Sequence, residues 1–190
     1  MGRFTVILDA CVLYPSRPRD TLLRLGQAGF FRPRWTTDIH AEWMGNLRRK
    51  RPDCDPGALE RTRQLMDKAI DDCLVTGYSR LVASLTLPDP DDRHILAAAI
   101  AGGANAIVTF NLTDFPADVL AGFGLEAIHC DDFVSAQFDL NPGLFLACIR
   151  EQRAALRRSP PDVATFVAGF EKAGMPRTAL LLRDNVADLT

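Results

Sequence analysis

The stretch Leu87–Phe115, LPDPDDRHILAAAIAGGANAIVTFNLTDF, sets the terms on which this chain folds. Three aspartates, Asp89, Asp91 and Asp92, stand around Pro90, ahead of an alanine-rich run that Gly102 and Gly103 end. Alanine favours helix and glycine stops it, so the run reads as a helix. Ala106–Val108 reads as a short buried strand. It lands on a polar segment, Thr109-Phe110-Asn111-Leu112-Thr113-Asp114. A helix and a strand bracketed by acid suit an α/β sheet with charge at the carboxyl edge of its strands, where such folds bind ligands. The expectation is half of a metal-binding acidic pocket, with the other half upstream.

Upstream, Phe4–Leu8 is apolar and rich in strand formers, and it ends at Asp9. A carboxylate just after a buried first strand faces the carboxyl edge of the sheet. Pro15 and Pro18 delay the next helix, so Asp9 reads as a poor helix cap and a better functional residue. Arg19–Ala28 follows as a helix with Leu22, Leu23 and Leu25 on one face. Phe30–Trp35, interrupted by Pro33, suits a peripheral strand. Thr36 and Thr37 offer an N-cap for a helix over Asp38–Arg49, packed through Ile39, Trp43 and Leu47. Glu42 lies at the margin of that face, where a carboxylate can enter a cleft.

The run Arg48-Arg49-Lys50-Arg51 closes the helix. Four cations exceed what a helix dipole needs, which makes them candidates for phosphate contact. Gly57–Leu74 reads as one long amphipathic helix with Leu65, Met66, Ala69, Ile70 and Cys73 inward and Asp67, Asp71 and Asp72 solvated. A further strand is expected near Ala83–Thr86, and a last one at Leu125–His129. Asp131 and Asp132 then open a short helix. Beyond Asn141 the pattern is purely helical: Leu144–Arg157, Pro161–Ala173 and Arg177–Val186, with Arg150, Arg153, Arg157 and Arg158 as a basic edge. The division expected is a main domain over 1–139 and a helical extension over 140–190.

The net charge of −2 carries no global signature of a nucleic-acid binder, but a local basic patch beside an acidic pocket averages out in such a sum. Five scattered cysteines without C-x-x-C spacing read as reduced thiols, and three distant histidines lend a zinc site little support. No apolar run approaches the ~20 residues of a membrane span. Met1-Gly2-Arg3 leads straight into a strand-length segment, unlike a signal peptide, so a cytoplasmic protein is expected.

Asp9, Glu42, Asp92 and Asp114 thus come from a strand end, a helix margin, a helix start and a post-strand loop. In a parallel sheet with a central first strand, Asp9 and the loop after Val108 lie side by side. Carboxylates converging without a cationic side chain repel, and a hard divalent cation resolves that repulsion. The chemistry implied is metal-assisted phosphodiester hydrolysis.

With VILDACVLY, Glu42 in a helix, DPDDRHILAAA and IVTFNLTDF in this order, the chain resembles the PIN-domain nucleases, nearest to the bacterial VapC-type toxin ribonucleases. The resemblance spans roughly residues 4–135. It implies a three-layer α/β/α sandwich with a central parallel sheet, here carrying a helical C-terminal extension. It also implies a pocket dependent on Mg²⁺ or Mn²⁺, and RNA as substrate. Asp9, Asp92 and Asp114 then match metal-holding acids and Glu42 the helix acid, all four in the catalytic set. Thr109 and Asn111 match supporting polar residues, and Asp89 and Asp91 are additional acids. Cys11 stands where a small polar residue is common, which is expected to loosen the hydrogen bonding of Asp9. The resemblance extends to a type II toxin with an antitoxin partner and a homodimer. The alternatives are a non-catalytic PIN-like RNA-binding or regulatory module, and a haloacid-dehalogenase-like phosphatase. The latter needs a second aspartate where Cys11 stands.

Overall fold

The first strand, β1 (Thr5–Leu8), is buried at every position, as a central strand of a parallel sheet must be. The computed structural model describes residues 4–156 and 160–189. After β1 come α1 (Ala10–Leu13), α2 (Ser16–Gln27), β2 (Arg32–Arg34), α3 (Thr37–Lys50), α4 (Pro56–Ala69) and α5 (Ser79–Val82). The central stretch supplies α6 (Arg93–Ala101), β3 (Ala106–Thr109), α7 (Ala117–Ala121) and β4 (Glu126–His129). The chain closes with α8 (Cys130–Leu140), α9 (Pro142–Ala154), α10 (Val163–Lys172) and α11 (Pro176–Asp184).

The four strands are parallel in the order β2-β1-β3-β4, so the first strand is central and pairs with β3 as expected. The chain leaves β1 toward one edge and leaves β3 toward the other. Right-handed crossovers then put α2 on one face of the sheet and α6 and α7 on the opposite face. This is an α/β/α arrangement whose strand order reverses between β1 and β3. A crevice opens at such a reversal, at the carboxyl ends of the two strands. Ala97, Ala98 and Ala99 are fully buried, so the alanines of α6 serve close approach to the sheet as well as helix propensity.

Three readings are corrected. No strand forms over Ala83–Thr86, where a turn and a loop follow the one-turn helix α5. Leu85 and Leu87 are buried between exposed neighbours, a strand-like alternation with no strand beside it. The added edge pairing comes from Trp35, whose N–H donates to the Cys73 carbonyl (2.9 Å) and whose carbonyl accepts from Val75 (2.8 Å). The long helix stops at Ala69, and Leu65 is exposed rather than inward.

Asp67 is not a solvated acid. Its carboxylate accepts from the Trp35 indole (2.8 Å), His40 Nε2 (2.9 Å) and Arg63 (2.8 Å). The Trp43 indole donates to His40 Nδ1 (2.9 Å), which places the imidazole hydrogen on Nε2. Burial, the largest influence, lowers the His40 pKa, so the ring is neutral. This network fixes α3 against α4 and the sheet edge.

The C-terminal helices are tied to α2. Gln152 of α9 accepts from Thr21 (2.8 Å) and donates to the Arg17 carbonyl (3.1 Å), and the Arg17 guanidinium lies 4.6 Å from the Phe166 ring centre. Asp131, buried at the start of α8, accepts from the backbone N–H groups of Arg177 (2.7 Å) and Thr178 (2.8 Å) at the start of α11. The expected basic edge is absorbed differently: Arg150 and Arg153 donate to the carbonyls of Asp188 (3.0 Å) and Leu189 (2.9 Å), while Arg157 and Arg158 lie outside the described residues. Met1-Gly2-Arg3 also lies outside them.

Gly26 lets α2 cross β2, because a Cβ there comes within 2.7 Å of the buried Pro33 ring. Gly45, inside α3, has nothing within 4 Å of an added Cβ. Overpacking costs ~1–3 kcal/mol and alanine gains ~1 kcal/mol over glycine in a helix. Gly26→Ala is therefore expected to lower the thermal unfolding midpoint, and Gly45→Ala to raise it, each by about 3 °C. Calorimetry of the two variants checks the opposite signs.

Candidate active site

Asp9 leaves β1 at the sheet's carboxyl edge, where its backbone N–H donates to the Val108 carbonyl of β3 (3.1 Å). It also caps α1, accepting from the Cys11 N–H (3.4 Å), so the reading of Asp9 as a poor cap is corrected. A one-turn helix fits before Pro15, and one carboxylate serves both purposes. Asp9 is almost fully buried. Its Oδ2 accepts from the Thr109 hydroxyl (2.6 Å) and the Cys11 thiol (2.9 Å). Cys11 therefore replaces a small polar residue as a donor to Asp9 rather than loosening its bonds. The sulfur also accepts from the Phe110 N–H (3.2 Å), bridging the two strand ends. Burial raises the Asp9 pKa, the Cys11 and Thr109 hydrogen bonds lower it, and the Glu42 charge raises it further.

Thr109 is the centre of this arrangement. Fully buried at the end of β3, it donates to Asp9 and accepts from the Asn111 N–H (2.9 Å). That second bond turns the chain into the short turn Leu112–Asp114, where the Asn111 amide donates to Asp114.

Asp92 precedes α6 without capping it through its side chain. Its pKa is raised to about 7 by burial first, then by the charges of Asp9 and Asp114, a hydrogen bond with Asp114 and the charge of Asp89. The fold thus brings Asp9 and Asp114 within electrostatic reach of Asp92. Asp89 caps the turn before α6, accepting from the Asp91 N–H (2.9 Å), and touches the cluster only through its charge on Asp92. Asp91 is exposed and is not drawn in.

Glu42 reaches the site's flank from α3, its charge felt by Asp9. It pairs with His94 Nε2 at 3.3 Å, a partner that the sequence reading missed. Burial opposes the charged imidazole, but the Glu42 hydrogen bond and charge outweigh it and raise the His94 pKa. The signal lay in the sequence as a histidine two residues beyond Asp92, on the first turn of the same helix.

Arg48, Arg49 and Lys50 are exposed on the last turn of α3, and Arg51 follows at its C-cap. Among the described residues no arginine or lysine forms an ion pair with Asp9, Asp92 or Asp114. No three His, Cys, Asp or Glu side chains among them are arranged to hold an ion as they stand. The donor set is nevertheless oxygen-only and uncompensated, which fits a hard divalent cation rather than zinc.

The folded Asp92 pKa of about 7 lies above the ~3.9 of an unfolded aspartate. The folded chain therefore holds this proton more tightly, and its stability falls as pH rises from about 4 through 7. Asp92→Asn is expected to raise the midpoint of the metal-free protein by a few degrees at pH 8 and to change it little at pH 4. Thermal melts at the two pH values in a chelator test this, and an equal shift at both would refute it.

Residues 5–113, more than half of the chain, match the family described as "PIN domain". Residues 130–184 match a second family, described as "VapC50 C-terminal domain". A 64-residue segment is 45% identical to a Mycobacterium tuberculosis protein named "Putative ribonuclease VapC50", covering 34% of this chain. The match spans 37% of that relative's length. No solved structure matches the chain significantly.

Proposed function

This chain belongs to the PIN-domain family, and on that footing we propose that it is a Mg²⁺- or Mn²⁺-dependent endoribonuclease. The observation that carries this reading is the cluster of uncompensated carboxylates, Asp9, Asp92 and Asp114, at the strand-order reversal. The relative's printed name supports RNA as the substrate.

In this reading Asp9, Asp92 and Asp114 hold the ion. A divalent cation bound there supplies Lewis acidity, lowering the pKa of water and neutralising phosphate charge. The chain's own residues do the rest. Thr109 and Cys11 keep Asp9 in one rotamer by donating to the same oxygen. Asn111 orients Asp114. Glu42, steadied by His94, accepts the proton of the attacking water as the P–O bond to the leaving oxygen breaks. Arg48, Arg49, Lys50 and Arg51 hold neighbouring phosphates.

Residues 1–139 form the catalytic unit and 140–190 the helical extension that braces α2. The protein acts in the cytoplasm as a type II toxin, restrained by an antitoxin and assembling as a homodimer. In support, the second matched family carries a toxin-type name. No helix among the described residues is long and apolar enough to cross a membrane.

Purified protein freed of any antitoxin is expected to cut single-stranded RNA with Mn²⁺ and not in EDTA. Asp9→Asn and Asp92→Asn are each expected to slow cleavage at least about 100-fold, on the scale of losing a principal transition-state contact. Absence of cutting on every RNA tried would sink the nuclease reading. Growth arrest on expression, relieved by the neighbouring open reading frame, tests the toxin role separately.

A further inference from the structure

Beside the carboxylates lies a cleft of about 340 Å³ lined by Cys11, Tyr14, Asn46, Arg49 and Lys50. It adjoins the acidic site through one residue, since Cys11, which lines it, donates its thiol to Asp9 Oδ2 (2.9 Å). Its volume falls in the ~300–1,000 Å³ range of small-ligand pockets. Its chemistry is unlike that of the acidic site. The Lys50 ammonium lies over the ring of half-buried Tyr14, at the end of α1, 5.1 Å from its centre, so a base stacks there as Lys50 swings to the phosphate. Asn46 accepts from Arg49 through Oδ1, and its amide nitrogen donates to nothing among the described residues. Arg49 also borders a second cleft, of about 520 Å³, with Gly45, Arg48 and Pro52. The cationic groups therefore follow one track that leads away from Asp9 along the C-terminal half of α3.

We propose that the cleft of Tyr14, Asn46, Arg49 and Lys50 seats the nucleotide next to the scissile phosphate of a single-stranded RNA. Tyr14 stacks on the base, Asn46 reads its edge, and Arg49 and Lys50 hold its phosphate. The inference rests on the ribonuclease reading and extends it, because it gives the site a base preference set by two residues outside the acidic motifs. A stacking ring, an amide with an open donor and two cations match a base, its hydrogen-bonding edge and a phosphodiester. An unstacked strand is required, because a paired base exposes neither its face nor its pairing edge.

The test uses the full chain and short fluorescent single-stranded RNAs that vary one position at a time around the cut. Binding is read by anisotropy in the non-cleaving Asp9→Asn background, and cleavage with Mn²⁺ in the otherwise native chain. Tyr14→Leu is expected to weaken binding and raise KM about tenfold, the lower part of the stacking range, while Tyr14→Phe stays within about twofold. Asn46→Ala, a change on the surface of α3, is expected to flatten the preference for one base at one position. Lys50→Ala weakens all RNAs alike and lowers the salt slope by about one.

The proposal is overturned if Tyr14→Leu binds like its parent. It is equally overturned if Asn46→Ala leaves the base preference intact or weakens every RNA uniformly. Binding that depends on Tyr14 and Asn46 without any cleavage by the native chain supports the pocket while defeating the ribonuclease reading. Cleavage that is indifferent to both residues does the reverse.

Discussion

Mutual repulsion among carboxylates is the constraint on which the architecture turns. Asp9 is buried, Asp92 feels the charges of both Asp9 and Asp114, and no lysine or arginine among the described residues pairs with any of the three. Left to a flexible chain, such groups separate. Here they cannot, because Asp9 is bonded through its backbone to β3, through its side chain to Thr109, and through the cap of α1 to Cys11. Asp92 is set by the start of a helix whose alanines press against the same strands. The repulsion therefore appears as proton affinity instead of as movement. A rigid parallel sheet keeps such a cluster poised for a cation in a way that a loop cannot.

The second organising element is α3, which is held on one flank and carries charge on the other. Trp35, Trp43, His40 and Asp67 close a fully satisfied hydrogen-bond chain beneath it. Glu42 and the basic last turn occupy its remaining surface. Rigid attachment keeps the Glu42 carboxylate and the basic last turn at a fixed separation on one helix. The C-terminal helices contribute at one remove, bracing α2 through Gln152 and Arg17.

Much of this was legible in the sequence, and the reasons are local. Buried parallel strands announce themselves as short apolar runs, so β1 and β3 could be found, with Asp9 just past the end of one and Asp114 five residues past the other. Asp92 followed from excess acid ahead of an alanine helix. Side-chain bonds between distant residues could not be read this way. Thr109 and Asp9 are 100 positions apart, and nothing in either segment's periodicity signals that they meet. Asp67 looked solvated because a helix margin is normally wet, and its indole and imidazole donors lie on another element. Leu85 and Leu87 alternate like a strand, but burial of every second residue of a loop produces the same two-residue rhythm.

Cys11 carries one more consequence. A thiolate beside a cation site is a soft donor in a hard pocket, open to capture by zinc or copper and to attack by peroxide. Burial, the Asp9 charge and the bond to Asp9 all push the Cys11 thiol far above its ordinary range. The carboxylate that invites a hard ion is thus the group that keeps the neighbouring sulfur protonated. Cys11 behaves as an oversized serine: a thiol that donates to Asp9 and accepts from the Phe110 N–H. At this strand end the sulfur therefore serves as a proton carrier between two backbone ends, and not as an anion.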